Sequence, residues 1–198
     1  MRREHWDRKY AGTEQLWAAT PNRSFAAEAV GLPPGRALDL ACGEGRHAIW
    51  LAERGWQVTA VDFSGVAIAR GRARAEQRQV EVDFVCSDLL DFEPEPGSFD
   101  LVLVLFLQLP ANERRLVLSR AAAALSPGGT FLLVGHDLDN LEKGTGGPSD
   151  SSVLYTPADI VAEIPELDIE KAERVLRAVN DADRPAIDAL VRARRAAG

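Results

Sequence analysis

Along most of the chain, continuous apolar runs alternate with segments whose apolar residues recur at helical spacing. RALDLAC (36–42) is followed by GRHAIWLAERG (45–55), WQVTAVDF (56–63), GVAIARGRARAEQ (65–77) and VEVDFVCSD (80–88). This order predicts a βαβαβ unit. The stretches LDLA and LVLVLFL lack polar alternation, which suits parallel strands covered by helices on both faces. After the Pro- and Glu-rich loop DFEPEPGS, the pattern predicts a strand over 99–107, a helix over 111–125 ending at SPGG, and a strand over 130–135.

The next stretch, DLDNLEKGTGGPSDSS (137–152), is polar, Gly-rich and too long for a tight connection. It leaves a strand where open α/β sheets place their ligands, so a functional loop is expected there. TPADIVAEI reads as a helix opened by a Thr156 cap and Pro157. The tail segments LDIEKAERVLRAV and AIDALVRARR are compatible with strands, although their Ala, Arg and Leu content also suits helix.

The chemistry suggested by this pattern lies at strand ends. ALDLACGEG places Gly43 and Gly45 where a hydrophobic strand turns into a helix, so the backbone can turn sharply and come close to a ligand. About 20 residues on, Asp62 closes the next strand, where a carboxylate can accept hydrogen bonds from both hydroxyls of a ribose. Asp88, in VCSDLL, closes the third and can accept from an exocyclic amine. The three together describe an adenosine site.

These residues resemble the class I S-adenosylmethionine-dependent methyltransferases. DLACGEG is similar to their first motif, VDFS to their ribose-binding acid motif and CSDLLD to their adenine-binding motif; SFDLVLVLFLQLP and LSPGGTFLLVGH resemble their fourth and fifth strands. The opening WDRKYAGTEQLWAATPNRS resembles small bacterial enzymes of the tellurite-resistance and thiol methyltransferase group, whose N-terminal segment folds over the cofactor. The resemblance implies a Rossmann-like three-layer α/β sandwich with a seven-stranded, mostly parallel sheet whose final strands form an antiparallel edge. It implies a single domain over 1–198, with 1–30 as a lid segment and 36–198 as the core.

By the same resemblance, Asp39 and the backbone of Ala41, Cys42, Gly43, Glu44 and Gly45 hold the amino-acid end of S-adenosylmethionine. Asp62 takes the ribose, with Phe63 and Ser64 beside it. Ser87, Asp88 and Leu89 clasp the adenine, and Leu105 and Phe106 wall the sulfonium. Ala41 replaces the family's first glycine, and a slightly less permissive turn is expected there. Trp6 and Tyr10, four apart and so on one helical face, and Trp17 are expected to cover the cationic sulfonium, with Asn22 and Arg23 near the carboxylate end.

His136 and Asp137 leave the fifth strand at the ligand edge and are the candidates for orienting the acceptor or taking its proton. With Asp139 they could also be read as a metal site, but one histidine and two nearby acids recur in loops by chance, and no metal is expected. Gln108, Asn140 and Tyr155 are further candidates for the acceptor pocket.

The implied reaction is methyl transfer to a small-molecule acceptor by in-line displacement. The alternatives are an NAD-dependent oxidoreductase, which uses the same glycine turn and ribose acid, and a non-catalytic protein that binds the cofactor. Ala48 stands where the dinucleotide fingerprint puts its third glycine, which counts against NAD.

Composition narrows the partners. The 198 residues fit one domain, and a net charge of −7 argues against a general affinity for nucleic acid, despite the basic stretches RGRARAEQR and VRARRAAG. No apolar run approaches the roughly 20 residues that cross a bilayer, and MRREHWDRKY lacks the apolar stretch of a signal peptide. A cytoplasmic address and a monomer or homodimer are expected. Cys42 and Cys86, each ending an apolar run, read as reduced buried thiols.

Overall fold

The computed structural model describes residues 3–13, 16, 20–180 and 182–197. Its centre is a seven-stranded sheet in the order β3-β2-β1-β4-β5-β7-β6. The strands are β1 (Arg36–Leu40), β2 (Gln57–Asp62), β3 (Asp83–Cys86), β4 (Phe99–Leu105), β5 (Leu125–His136), β6 (Asp168–Arg177) and β7 (Ala186–Arg194). The first five pair in parallel, and β7 runs antiparallel between β5 and β6.

Strand periodicity sends alternate residues of the buried strands into two separate cores. On one face Leu38, Leu40, Val102, Val104, Phe131 and Leu133 pack with Val117, Leu118 and Ala121 of α5 (Ala111–Ala124) and Ile160 of α7 (Pro157–Glu163). On the other, Ala37, Ala60, Leu101, Leu103, Leu132 and Val134 pack with Phe25 of α2 (Arg23–Ala29), Leu51 of α3 (Arg46–Ala52) and Ile68 of α4 (Gly65–Gln77). This is the expected three-layer sandwich. A continuous apolar run such as LVLVL is read by both helical layers at once, which is why it shows no polar alternation.

The tail resolves into strands. β7 is buried along nearly its whole length because it sits between two neighbours, and its small and branched residues fill that slot. β6 is the outer edge and is mostly exposed; its charged side chains blunt an otherwise open ladder. The predicted stop at SPGG is instead absorbed into β5: Leu125 already pairs with Phe99, and Gly128 and Gly129 exchange hydrogen bonds with Arg195. Cys42 is buried as expected, but Cys86 is exposed, because β3 is the opposite edge strand and only Phe84 in it is fully covered.

The polar stretch after β5 does not form a cover over the ligand edge. It folds onto the sheet through α6 (Asn140–Lys143), where the buried Asn140 accepts from the Ile187 amide at 2.8 Å and donates to the Gly146 carbonyl at 2.8 Å. Buried Tyr155 lies against Gly135. The expected Thr156 cap is a full capping box with Asp159. Among the described residues no helix is long and apolar enough to cross a membrane.

Candidate functional site

The glycine turn between β1 and α3 uses left-handed backbone at alternate positions: φ is +62° at Ala41, +55° at Gly43 and +75° at Gly45. Ala41 thus adopts the conformation expected of a glycine, at a cost of about 1 kcal/mol. Gly43 and Gly45 have no such substitute. A Cβ at Gly43 would stand 2.7 Å from the Tyr10 hydroxyl, and one at Gly45 would stand 2.6 Å from the Phe84 ring. Glu44, between them, is buried and anchored to α4 by Arg74 at 3.1 Å and Arg70 at 3.3 Å.

Asp62 braces the turn from the next strand. Its Oδ2 accepts from the Gly43 amide and its Oδ1 from the Ser64 amide, each at 2.9 Å. Each carboxylate oxygen keeps capacity for a further donor facing the cavity. Burial raises its pKa despite these hydrogen bonds.

Beneath the turn lies Asp39. It is fully buried, and among the described residues neither carboxylate oxygen has a well-formed hydrogen bond; the Arg46 charge and the Ala48 amide are the favourable influences on it. Desolvation, with Asp62 nearby, pushes its pKa up to about 7. A buried carboxylate without a well-formed hydrogen bond is costly, and a cationic ligand group at the turn would relieve it.

The turn opens into a cavity of about 790 Å³ along the ends of the parallel strands. Of the residues singled out from sequence, Ala41, Cys42, Gly43 and Glu44 line it from the turn, and Asp62 and Phe63 from β2. Asp88 and Leu89 enter after β3, Leu105 and Phe106 at β4, and His136 at β5. Trp6 and Tyr10 of α1 (Arg3–Ala11) and Asn22 close the N-terminal side. Asn22 is fixed in place: its side chain accepts from the Phe25 amide, and its own amide donates to His47 Nε2 at 3.3 Å. That bond needs a neutral His47, and burial drives the pKa of this imidazole well down. Trp17 lies outside the described residues.

Other expected residues sit behind the lining. Ser64 caps α4 by accepting from the Ala67 amide and donates to Asp7 of α1. Ser87 donates to the Asp88 carbonyl. Asp39 and Gly45 support the turn from below.

Asp137 is buried outside the lining, with Arg174 Nε at 2.9 Å and the Asp139 amide at 2.8 Å on its Oδ1. Arg174 also pairs with Asp139, which Lys143 holds as well at 2.9 Å, and among the described residues no cluster has the arrangement of a metal site. Asn140 and Tyr155 are likewise outside the cavity, whereas Gln108 lines it.

Facing the turn is a second wall that sequence reading missed in part. Phe106 ends β4 in left-handed backbone, φ +58°, with its amide bonded to the Val134 carbonyl at 2.7 Å. The His136 ring stands edge-on to it at 5.3 Å, and the Arg177 guanidinium lies over it at 5.3 Å. Arg177 is gripped by the fully buried Asp188 through Nε at 2.6 Å and Nη2 at 3.2 Å. His136 Nδ1 stands 3.4 Å from Asp188 without a hydrogen bond, and burial holds its pKa down.

Arg46, the first residue of α3 directly after the turn, also lines the cavity, and its charge acts on Arg177 of this wall. Its one sequence signal is a cation at a helix N-terminus, against the macrodipole. Arg177 and Asp188 have none, because only the antiparallel placement of β7 brings them to this edge.

A Rossmann-like sheet with a glycine turn after β1 and acids closing β2 and β3 makes the chain similar to the class I S-adenosylmethionine-dependent methyltransferases. Residues 37–129 match the family described as methyltransferase domain. A ubiquinone biosynthesis O-methyltransferase of Xanthomonas campestris pv. campestris (strain B100) is 33% identical over 120 residues, covering 60% of this chain and 50% of that protein. The chain thus spans about half the length of the curated relatives it matches.

Among solved structures, one from a study of the conversion of a disulfide bond into a thioacetal group during echinomycin biosynthesis superposes with a TM-score of 0.77 at 23% identity, covering 98% of this chain and 92% of that one. TehB from Haemophilus influenzae superposes with a TM-score of 0.73 at 17% identity, covering 98% and 67%. These two likenesses speak for the fold.

Proposed function

We propose that this chain moves a methyl group from S-adenosylmethionine to a small-molecule acceptor by in-line displacement. The observation that carries the reading is the Asp39 carboxyl buried beneath the Ala41–Gly45 turn without a well-formed hydrogen bond, which a cationic ligand group held at the turn would relieve. Bound there, S-adenosylmethionine supplies a methyl group already activated by a positively charged sulfur. Asp62 accepts from the ribose, Asp88 and Leu89 meet the adenine edge, and the turn holds the amino-acid end. The aromatic pair Trp6 and Tyr10, with ring centroids 6.0 Å apart, covers the cavity and keeps water out as the lid.

With the methyl donor so activated, the protein's work is positioning and exclusion of water. A thiolate acceptor needs no base. For a hydroxyl or carbon acceptor, the neutral imidazole of His136 lines the cavity and can take the proton. A small acceptor rather than a nucleic acid is supported by the net charge of −7, and the matched Xanthomonas relative is named for a quinone pathway. The two unbridged cysteines support a cytosolic address.

Calorimetric titration with S-adenosylhomocysteine and with NADH tests the cofactor. Binding of S-adenosylhomocysteine is expected; binding of NADH alone overturns the reading. A screen of thiols, phenols, carboxylates and metalloid oxyanions, scored by release of S-adenosylhomocysteine, then identifies the acceptor.

A further inference from the structure

We propose that Arg46 and Arg177 together hold an anionic group of the methyl acceptor, a carboxylate-type head whose apolar body lies against Phe106, Leu107 and Leu109. The proposal rests on the cofactor reading above. Both guanidinium groups line the same cavity from different elements, Arg46 from the start of α3 and Arg177 from the end of β6. Among the described residues Arg46 makes no hydrogen bond or ion pair. Arg177 spends Nε and Nη2 on Asp188, and among the described residues its Nη1 makes no hydrogen bond.

The local charge is out of balance. Asp188 is consumed by Arg177, and His136 is held neutral by burial. Asp39, the carboxyl whose charge acts on Arg46, has its own pKa raised to about 7. Two cations therefore press on each other in a partly dehydrated space; burial and Arg177 together pull the pKa of Arg46 down. Each guanidinium presents planar N–H donors of the kind that bind carboxylate through charge-assisted bonds, and an anion between them removes the repulsion.

The position of Arg177 favours the acceptor over the cofactor, while Arg46, next to the turn, reaches the same space from the cofactor side. Arg177 lies over Phe106, at the ends of β4 and β6, whereas the turn and the acids that fit the cofactor come from β1, β2 and β3. Leu107 and Leu109 continue this side of the cavity as apolar surface. Glu113 also lines it, from the first turn of α5, and restricts the anionic head to the arginine side.

The test uses the full chain saturated with S-adenosylhomocysteine, titrated with a panel of aryl and alkyl carboxylates and their matched primary amides. Two variants are compared with the parent: Arg46→Gln, which orphans no partner, and Arg177→Gln combined with Asp188→Asn, which removes the guanidinium without leaving a naked buried carboxylate. At least one carboxylate is expected to bind about tenfold or more tightly than its amide, and both variants are expected to lose that preference. S-adenosylhomocysteine and methylthioadenosine, which lacks the amino-acid carboxylate, are titrated alongside and are expected to bind the variants as they bind the parent.

A panel with no carboxylate preferred, or a preference that survives both variants, overturns the proposal. So does a loss of S-adenosylhomocysteine affinity with methylthioadenosine unchanged, which gives the two guanidiniums to the cofactor's own carboxylate. Failure of the parent to bind S-adenosylhomocysteine at all instead marks failure of the cofactor reading.

Discussion

The Asp62 carboxylate accepts a hydrogen bond from the Gly43 amide at 2.9 Å across 19 residues of sequence, tying the end of β2 to the glycine turn after β1. One side chain thus shapes the turn and faces the cavity beside it. Asp62→Ala removes both functions: S-adenosylhomocysteine should weaken by about tenfold or more through loss of charge-assisted bonds, and the orphaned amides should lower stability by about 1–3 kcal/mol. Titration calorimetry and urea unfolding read the two effects separately. Unchanged affinity removes Asp62 from the ligand site.

Ala41 and Gly45 both hold positive φ, yet substitutions there should move stability in opposite directions. Ala41→Gly releases left-handed strain and should stabilise the fold by about 1 kcal/mol. Gly45→Ala adds the same strain and drives a Cβ to 2.6 Å from the Phe84 ring, so it should destabilise by more than that, about 2 kcal/mol or above. Thermal unfolding of the two variants checks this, and destabilisation by Ala41→Gly contradicts the strain at position 41.

Asp39 makes stability depend on pH. Its folded pKa, about 7, is above its ordinary 3.8, so folding favours the protonated form. The stability this provides is fully present below about pH 4 and is lost as pH rises through 7, by on the order of 4 kcal/mol. His47 and His136, whose pKa values are lowered, act in the opposite sense: they cost stability as pH falls below 6.5. The difference between the parent and Asp39→Asn isolates the carboxyl, because the histidines are common to both. That difference should fall steadily between pH 4 and 7 in urea unfolding; parallel curves disprove a raised pKa. The same argument predicts that S-adenosylhomocysteine binding near pH 6 releases a proton, measurable from the buffer dependence of the binding enthalpy.

These residues also mark how far sequence can carry a reading. The cofactor side was legible because its residues are local to strand ends: the turn, Asp62 and Asp88 each follow an apolar run whose length fixes where the side chain emerges. The tail was ambiguous because β7 is buried between two strands and so reads as apolar without period, while β6 is a charged edge. The facing wall was nearly silent for a different reason. Arg177 and Asp188 are joined by the β6–β7 pairing, and the strained Phe106 is set by its bond to Val134; neither relation leaves a pattern in the chain. The loop after β5 looked functional because it was long and Gly-rich, but two of its glycines serve packing: a Cβ at Gly144 would run into the Asn140 side chain, and one at Gly147 would meet the His136 ring at 2.9 Å.

His136 and Asp137 are adjacent in sequence and alike as candidates for chemistry, yet their side chains go to different places. His136 lines the cavity; Asp137 is buried against Arg174 on the other side of the strand, anchoring β6 and the following loop. Asp137→Asn should therefore lower stability by about 1–3 kcal/mol through the weakened ion pair, with kcat little changed once the protein is folded. His136→Asn should cost stability only through the lost ring contacts with Phe106 and Gly147, since Nδ1 makes no hydrogen bond, and act chiefly on turnover. With a hydroxyl or carbon acceptor, kcat should fall by about 10²-fold or more, and the rise of kcat with pH set by the lowered imidazole pKa should disappear. With a thiol acceptor that ionises unaided, the same variant should retain most of its kcat. Steady-state kinetics of both variants on acceptors from the screen decide it, and a larger kcat loss in Asp137→Asn than in His136→Asn would reverse the assignment.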